Sequence, residues 1–284
     1  MLPLLITGAT GHVGSHLISL LHAKGYPVRA LVRDRTRAAG FPDDVEVVVG
    51  DLAQPETLPA AFAGVERVFL MDASHGLDQT RNAVAAARDA GVQRIVNLSS
   101  IGASLDPMPI MGRAFVAREA LLRESGIAWT FLRPSIFMSN ALWWLPSLKA
   151  EGVVSDPVGP GRYASIDPED IAAVAAVALT QEGHAGQIYT LTGRELQTVA
   201  QEVEILAGVL GRRVPYVETT PEEDARKALA RGTEKASVEG IRDLNEVLRA
   251  DGAAVRTSDV ERVTGVLPTS FESWCRRNAS AFVW

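Results

Sequence analysis

Three glycines near the start of the chain have the spacing of a phosphate-binding loop. Gly8, Gly11 and Gly14 stand in the run TGATGHVG, between an apolar run and a helix-like segment. The first permits a tight turn, the second lets the backbone approach a pyrophosphate, and the third allows the helix to pack closely on a sheet. Because the first N–H groups of such a helix hold phosphates, we predict a dinucleotide-binding loop; a tight turn without a ligand is the alternative. The residues predicted to form the loop are Thr7, Gly8, Thr10, Gly11, His12, Val13 and Gly14.

Arginines follow the second apolar run, where a dinucleotide would place its adenosine ribose. An acidic residue at this point would bind a ribose 2′-hydroxyl and repel a 2′-phosphate. The run ends instead as LVRDRTR, with Arg33 at its tip, Arg35 and Arg37 after it, and Asp34 among them. Guanidinium groups bind phosphate in bidentate fashion, so the pattern predicts NADPH (NADP) as the cofactor. The alternative is a solvated basic start of a helix, since arginines are common on protein surfaces.

A pair of carboxylates later in the chain has a spacing that also occurs in acid–base catalysis. Asp167 and Asp170 lie in SIDPEDIAAVA, directly before an alanine-rich apolar run. We interpret them as the cap of a helix, because acidic residues and proline at this position are typical of a helix N-terminus.

The elements that must position these residues alternate along the first half of the chain. The apolar runs LPLLIT, PVRALV, VEVVV, RVFLM, RIVNL and WTFLR are continuous, as in strands buried on both faces. Between them, HVGSHLISLLHAKG and TRNAVAAARDAG have helical spacing and end in glycine. This order predicts an α/β fold, a Rossmann-type doubly wound parallel sheet with a smaller C-terminal substrate-binding region.

The alternation stops after about residue 133. The run SIFMSNALWWLPSLKAEG is apolar and aromatic, and we interpret it as part of a substrate lid or pocket wall. The elements expected after it are a helix at 168–180, a strand near 187–191, a helix at 196–210, a polar helical stretch at 221–250 and a terminal helix from Ser270. We expect a dinucleotide-binding core at 1–150 and a mixed α/β substrate-binding region at 151–284, packed as one compact unit.

Composition narrows the class of protein. Hydrophobic residues make up 47% and charged residues 22% of the chain, as in an ordinary globular protein. The net charge is −6 and no basic run exceeds a pair, so we expect no nucleic-acid partner. Cys275 is the only cysteine, which excludes an internal disulfide and a cysteine-based metal cluster, and we expect no metal. The first apolar run lacks a basic leader and reaches Gly8 too early for a membrane span, so we expect a cytoplasmic protein; its oligomeric state is undetermined.

The chain resembles the short-chain dehydrogenase/reductase superfamily. The spacing GxxGxxG after Thr7 is similar to its extended and atypical branches. The runs SGIAWTFLRPSIFMSN, YASIDPEDIAAVAAVAL and TGVLPTSFESWCRRNASAF resemble the NmrA-like atypical branch, over essentially the whole chain. That branch includes reductases of quinones and triarylmethane dyes, ketoreductases of aromatic polyketides of the angucyclinone type, and redox-sensing regulators. Besides Arg33 and Arg35, predicted above from their charge, the resemblance implies cofactor contacts by Asp51, Leu52, Met71, Asp72, Asn97, Pro134 and Ile136.

The usual catalytic pair of that superfamily is missing. Its members protonate the substrate carbonyl with a tyrosine, and a lysine four residues later lies on the same helix face. In MGRAFVAREALLRESG, counted back from Ser125 and Gly126, the two positions hold Met111 and Phe115. There is no tyrosine at 27–162 and no lysine at 25–148, so the pair is absent whatever the alignment.

Three other side chains are candidates for the catalytic proton transfer. Ser99 and Ser100 carry the hydroxyls nearest to the inferred nicotinamide, although such serines equally well satisfy backbone groups at a strand end. His75 follows the fourth strand, and an imidazole transfers protons near neutral pH, although a lone loop histidine is more often a surface residue. We expect the proton to come from the substrate, from water or from a serine.

The predicted substrate pocket follows the sixth strand. Its residues are Phe137, Asn140, Trp143, Trp144 and Tyr163. The two neighbouring tryptophans do not share a helix face, so at least one packs into the core and the other can stack on a flat substrate. Burial of both in the core is the alternative.

Three functions are consistent with these patterns. We prefer an NADPH-dependent reductase of a bulky planar aromatic ketone or quinone, in which orientation of a small-molecule aromatic substrate supplies most of the rate. The second is a cofactor-sensing module that binds the dinucleotide, does not turn it over and has a protein partner. The third is an isomerase or other non-redox enzyme that uses the nucleotide structurally.

Overall fold

Strands and helices alternate through the part of the chain that the computed structural model describes, residues 1–72 and 76–283. Its strands are β1 (Leu4–Ile6), β2 (Val28–Val32), β3 (Glu46–Val49), β4 (Arg67–Leu70), β5 (Arg94–Leu98), β6 (Ala128–Pro134), β7 (Val154–Asp156), β8 (Arg162–Tyr163), β9 (Gln187–Leu191), β10 (Gln197–Thr198) and β11 (Tyr216–Glu218). Its α-helices are α1 (His12–Ala23), α2 (Leu58–Phe62), α3 (Asp78–Asp89), α4 (Ile110–Glu124), α5 (Leu145–Glu151), α6 (Pro168–Thr180), α7 (Val199–Leu210), α8 (Pro221–Ala230), α9 (Lys235–Arg249), α10 (Asp259–Thr264) and α11 (Phe271–Asn278).

The central sheet of this part of the chain is parallel and has the order β3-β2-β1-β4-β5-β6-β9. The chain passes from β1 outward to β3 and then returns to the other side of β1, so the order reverses between β1 and β4. A crevice opens at such a switch point, beyond the carboxyl ends of the strands, and ligands of open α/β sheets bind there. The two strand ends are joined by Thr7, whose hydroxyl donates to the Met71 carbonyl at 2.9 Å and accepts from the Met71 N–H at 2.8 Å.

The continuous apolar runs reflect burial on both faces of the sheet. In β1, Leu4 and Ile6 pack in one hydrophobic cluster with α1 and α6, whereas Leu5 packs in another with α2, α3 and α4. Each face of the strand therefore needs apolar side chains, which removes the polar alternation of a half-exposed strand. The expected doubly wound α/β fold is confirmed.

The region after residue 150 also contributes to this sheet. The helix α6 and the strand β9 have the predicted bounds, but β9 pairs with β6 and α6 packs on α1. The boundary expected at residue 150 therefore does not separate the sheet from the C-terminal region. As expected, Asp167 caps α6: its carboxylate accepts from the Glu169 N–H at 3.0 Å, while the Asp170 carboxylate accepts from the Thr269 N–H at 2.7 Å.

Two further differences have local causes. The helix expected from residue 196 begins at Val199, because the two residues before it form β10 and Thr198 makes a capping box with Gln201. The polar stretch at 221–250 is two helices, α8 and α9, and Gly232 adopts a left-handed φ of 84° between them. No helix in the described part of the chain is long and apolar enough to cross a membrane.

Candidate active site

A groove of about 250 Å³ lies at the switch point, beyond the ends of β1 and β2. It is lined by Thr7, Gly8, Ala9, Thr10, Gly11, Leu31, Val32, Arg33, Arg37, Gly50, Asp51, Leu52, Met71 and Gln79. Eight of the residues predicted to contact the cofactor are thus brought together: Thr7, Gly8, Thr10, Gly11, Arg33, Asp51, Leu52 and Met71. Sequence reasoning missed Gln79, which comes from α3, and the apolar strand end at Leu31 and Val32.

The glycine loop has a backbone geometry that side chains would block. Gly8 has a φ of 59°, and a Cβ there would lie 2.8 Å from the Met71 sulfur. A Cβ at Gly14 would lie 2.3 Å from the carbonyl oxygen of Gly8. Gly11 precedes α1 without a side-chain cap, and the first turn of that helix holds no acidic residue. The N-terminus of α1 therefore meets the groove through bare backbone, which fits a pyrophosphate.

Two other predicted loop residues, His12 and Val13, lie in the first turn of α1. Val13 is 4% exposed and packs in the core with α6, so its side chain holds the helix against the sheet. His12 is exposed, and it is the first residue of α1.

Two of the three arginines after β2 face the groove. Arg33 and Arg37 line it, whereas Arg35 turns the other way and donates from its guanidinium to the Val47 carbonyl at 2.8 Å. Of the three arginines predicted to clamp a 2′-phosphate, Arg33 and Arg37 therefore lie at the groove, whereas the short 3₁₀ turn at Arg35–Ala38 points Arg35 toward β3. Asp34 caps that turn: hydrogen bonds from Thr36 lower the pKa of its carboxyl.

The placement of the arginines predicts which of them select the cofactor. We expect Arg33→Ala and Arg37→Ala each to weaken NADPH binding about tenfold while changing NADH binding little, because only NADPH carries the 2′-phosphate. Arg35→Ala is the matched control and should leave both affinities unchanged. Fluorescence titration with both dinucleotides measures the effect. Equal weakening of NADPH and NADH by the Arg33 and Arg37 variants would contradict a 2′-phosphate clamp.

Three further predicted cofactor contacts belong to the ends of β5 and β6 and do not line the groove. Asn97 is buried, and its amide donates to the Leu70 carbonyl at 3.0 Å, which ties β5 to β4. Pro134 ends β6, and Ile136 follows it with its carbonyl accepting from the Ile166 N–H at 2.8 Å. Their contact with a bound nicotinamide stays a prediction.

The Ser99 hydroxyl is engaged in a buried hydrogen bond in this structure. Its hydroxyl donates to a carboxylate oxygen of Glu119 at 2.7 Å, and both residues are buried. Arg133 donates to the same carboxylate from two nitrogens, at 2.9 and 2.6 Å. Burial raises the pKa of Glu119, but the hydrogen bonds from Arg133 and Ser99 outweigh it, and the net pKa is lowered. The Ser99 hydroxyl thus helps to hold the Glu119 carboxylate in this structure, and a catalytic role of Ser99 stays a prediction.

The two other catalytic candidates differ in their surroundings. The Ser100 hydroxyl oxygen accepts from the Gly102 N–H at 3.1 Å, which caps a 3₁₀ turn after β5. This bond uses a lone pair and not the proton, so a catalytic role of Ser100 stays a prediction. His75 lies outside the described residues.

A second cavity lies between α4 and α9 and has a volume of about 410 Å³. Its lining residues are Asp72, Ile110, Met111, Ala114, Phe115, Arg118, Ala236, Ser237, Gly240 and Ile241. Met111 and Phe115, which occupy the positions of the missing catalytic pair, are thus apolar walls of this cavity. Consecutive residues line the two spaces: Met71 lines the groove, and the next residue, Asp72, lines the cavity.

The residues expected to form the substrate pocket line neither of these two spaces. Trp144 is 5% exposed, its indole N–H donates to Asp156 at 3.4 Å, and its ring packs edge-on against Phe271. Trp143 is 75% exposed. One tryptophan is therefore in the core and its neighbour on the surface, as their spacing predicts.

The other three expected pocket residues lie on the segments around β6 and β8. Phe137 and Asn140 are half-buried, and Phe137 packs against the main core. Tyr163, expected in a pocket, is instead buried in the C-terminal core, where its hydroxyl donates to Glu202 at 3.0 Å. Burial of Tyr163 follows from the pairing of β8 with β10, a long-range contact that no local pattern reveals.

Glu202 makes the stability of the C-terminal core depend on pH. Burial raises its pKa to about 7, although Ser165 and Tyr163 donate to it. Between its ordinary pKa of about 4.3 and this value, the folded state holds a proton that the unfolded state has released. The free energy of unfolding should therefore fall as the pH rises from about 5 to about 7, by up to about 1.4 kcal/mol per pH unit.

Glu202→Gln tests this dependence. The amide cannot ionise, so we expect the variant to be more stable than the wild type at about pH 8 and similar to it at about pH 5. Urea denaturation at the two pH values measures the difference, with Glu204→Gln, an exposed neighbour on α7, as the control. A Glu202→Gln variant that differs equally from the wild type at both pH values would show that Glu202 does not titrate in this range.

Comparison with known proteins agrees with the geometry of the groove. Residues 8–182 match the model of a family described as NAD(P)H-binding. An NAD(P)H azoreductase of Xenophilus azovorans is 34% identical over 282 residues, which cover 98% of this chain and 99% of the relative. A (4-alkanoyl-5-oxo-2,5-dihydrofuran-3-yl)methyl phosphate reductase of Streptomyces griseus is 35% identical over 280 residues, with coverage of 98% and 99%.

A solved structure shows the same fold with the dinucleotide bound. The NADPH-dependent quinone oxidoreductase of Escherichia coli, complexed with NADPH, superposes with a TM-score of 0.84 at 27% identity. The match covers 96% of this chain and 99% of that chain. The predicted NAD(P)H cofactor is confirmed.

Proposed function

Because the chain belongs to the NAD(P)H-binding, NmrA-like family of oxidoreductases, we propose that it is an NADPH-dependent reductase of bulky planar aromatic ketones or quinones. One observation carries this proposal: an apolar cavity stands beside the dinucleotide groove where the superfamily's catalytic pair would be. Met111 and Phe115 give it walls for a flat ring, and Asp72 continues it from the groove residue Met71. A cavity of about 410 Å³ lies within the usual range for small-molecule sites.

The residues of the chain would divide the work between the two spaces. The loop at Gly8, Gly11 and Gly14 would hold the pyrophosphate, with Arg33 and Arg37 on the 2′-phosphate. When bound, the reduced nicotinamide supplies a hydride. The walls of the α4–α9 cavity would exclude water and orient the acceptor's ring, so that positioning supplies much of the rate. The proton would come from the substrate or from solvent, since the Ser99 hydroxyl is engaged by Glu119.

Two narrower substrate classes lie within this proposal. The resemblance to ketoreductases of aromatic polyketides favours a hydroxylated polycyclic ketone, and the azoreductase and quinone oxidoreductase among the similar proteins favour a quinone or a dye. A sensing module without turnover is the second candidate, and a closed or polar cavity would favour it. The mainly apolar lining of the α4–α9 cavity favours a reductase instead.

We also propose a cytoplasmic location. Cys275, the chain's only cysteine, is a buried free thiol, which suits a reducing compartment. Fractionation of the source cells with an antibody to the protein tests this location.

Consumption of NADPH tests the proposed activity. The absorbance of the reduced nicotinamide should fall when the protein is mixed with NADPH and a quinone, a polycyclic hydroxyketone or an azo dye. A constant absorbance with every acceptor, together with tight NADPH binding, would favour the sensing module over the reductase.

Filling the cavity should separate acceptor binding from cofactor binding. Gly240 lies on α9, and a Cβ there would lie 3.4 Å from the Met111 Cγ, an ordinary contact. We expect Gly240→Leu to raise the KM for the acceptor about tenfold or more, because the larger side chain occupies the ring's space, while NADPH affinity stays unchanged. Gly240→Ala is the matched control and should act like the wild type. An unchanged KM in Gly240→Leu would place the acceptor elsewhere.

A further inference from the structure

Arg118 is the cation of the α4–α9 cavity, among the described residues that line it. It lies one turn beyond Phe115 on the helix face that carries Met111 and Phe115, and it is 5% exposed. Its guanidinium carbon is 5.0 Å from the centre of the Phe115 ring. Burying a guanidinium in an apolar cavity costs free energy unless the group forms hydrogen bonds with oxygen atoms.

The guanidinium is held by two residues that follow β4 in the chain, Asp72 and Gly76. Arg118 Nη1 lies 3.3 Å from a carboxylate oxygen of Asp72, and Asp72 also accepts a hydrogen bond from the Thr80 hydroxyl. Arg118 Nε and Nη2 each donate to the Gly76 carbonyl at 3.4 Å. These contacts fix the group beside the end of β4, directly after the groove residue Met71.

A charge-assisted hydrogen bond from a guanidinium to an oxygen measures about 2.7–2.9 Å. Because Arg118 lines the cavity, a substrate oxygen inside the cavity can approach its guanidinium at that distance. The apolar walls at Met111 and Phe115 would strengthen that interaction, because charges interact more strongly where water is excluded.

We propose that Arg118 binds the oxygen of the acceptor and stabilises the negative charge that reduction places on it. The inference rests on the proposed reductase function and favours acceptors with a reducible carbonyl group, that is, quinones and aromatic ketones, over azo dyes. One hydride, a hydrogen with two electrons, passes from NADPH to the acceptor and leaves NADP⁺. The acceptor oxygen takes the negative charge, hydrogen-bonded by Arg118, and a proton from water then neutralises it. Arginine itself does not give up its proton, so it binds the oxyanion and is not the acid.

Binding of a carboxylate and of its neutral analogue tests the proposal without turnover. Neither 2-naphthoate nor 2-naphthamide is reduced, and both fit the size of an aromatic ring system. In the NADPH complex, calorimetry should show about tenfold tighter binding of the carboxylate than of the amide, the ratio that one charge-assisted hydrogen bond provides.

The variant that tests Arg118 must not leave the negative charge of Asp72 without a positive partner. Arg118→Gln combined with Asp72→Asn removes both charges and keeps groups that can form hydrogen bonds, so it is the variant expected to fold. Its ratio of affinities should be about one, and Arg118→Lys should recover part of the preference. Arg113→Gln, an exposed arginine on the same helix, is the matched control and should keep the ratio of the wild type. Circular dichroism and NADPH titration show that each variant is folded.

The outcomes separate the two proposals. A ratio near one in the wild type, or a preference that survives in the double variant, overturns the role of Arg118 even if acceptors are reduced. A preference that is lost in the double variant supports it, even if no acceptor is reduced, in which case only the reductase proposal fails. A series of naphthoquinones tests the same role in turnover, if these acceptors are reduced. The rate of the double variant should fall furthest below that of the wild type with electron-donating substituents, because the oxygen of the reduced product is then more basic. An equal loss of rate across the series would indicate a structural role only.

Discussion

Gly14→Ala is expected to abolish measurable NADPH binding and to lower the free energy of unfolding by about 2 kcal/mol. A Cβ at this position would lie 2.3 Å from the carbonyl oxygen of Gly8, 2.9 Å from its carbonyl carbon and 3.0 Å from the Cα of Ala9. All three atoms are backbone, so no side-chain rotation can relieve the contact. The loop must shift away from the helix, because Leu17 and Ile18 of α1 are fully buried and hold the helix in place.

The shift would act directly on the cofactor. The loop N–H groups must lie within hydrogen-bond distance of the phosphates, and displacement by about 1 Å breaks such bonds. Fluorescence titration with NADPH and urea denaturation measure the two effects.

Gly208→Ala is the matched control for this substitution. Gly208 lies inside α7, no heavy atom beyond its chain neighbours and the backbone of its own helix lies within 4 Å of a Cβ built there, and its φ is not in the left-handed region. Alanine should stabilise this helix by about 0.5–1 kcal/mol and leave NADPH affinity unchanged. If Gly14→Ala instead bound NADPH within about threefold of the wild type, close approach of helix and loop would not be the reason for the glycine.

The glycine loop could be predicted because its chemistry is local. Gly8, Gly11 and Gly14 stand within one strand–turn–helix unit, and their spacing alone fixes which backbone groups approach the ligand. For the arginines, the sequence predicts their position in the chain but not the direction in which each side chain points. The sequence places a basic cluster at the end of β2, but the turn that rotates Arg35 toward Val47 and leaves Arg37 at the groove depends on packing against β3.

The α4–α9 cavity could not be predicted because its two walls are distant in sequence. The sequence shows that Met111 and Phe115 replace a catalytic pair, but it does not reveal that α9 covers them. That contact is fixed in part by Asp243, whose carboxylate accepts from the Ile110 N–H at 2.6 Å at the start of α4. For the same reason, the sequence predicts the strand β9 but not its place in the sheet: its partner β6 lies far earlier in the chain, and only tertiary pairing brings the two together.

Glu119→Gln is expected to cost about 3–5 kcal/mol of stability, the effect of breaking a buried ion pair. The Glu119 side chain is fully buried in α4 and accepts from Ser99, from two nitrogens of Arg133 and, at 3.1 Å, from Arg123. An amide offers one acceptor oxygen where the carboxylate offers two, and it leaves the half-buried Arg133 charge uncompensated. Glu124→Gln, an exposed glutamate on the same helix, should change stability by less than about 0.5 kcal/mol. Ser99→Ala should cost about 1–2 kcal/mol, the price of one lost hydrogen bond, and should leave turnover in place.

The pH dependence identifies the charge as the cause. Since the pKa of Glu119 is lowered in the folded state, the unfolded state binds the proton first as the pH falls. The stabilisation by Glu119 is therefore complete above its ordinary pKa of about 4.3 and is lost as the pH falls through the lowered value. The gap in unfolding free energy between the wild type and Glu119→Gln should be widest near pH 7 and should narrow below about pH 4. A gap that is the same at both pH values would mean that the amide disturbs packing alone, and that the carboxylate's charge is not what joins α4 to β5 and β6.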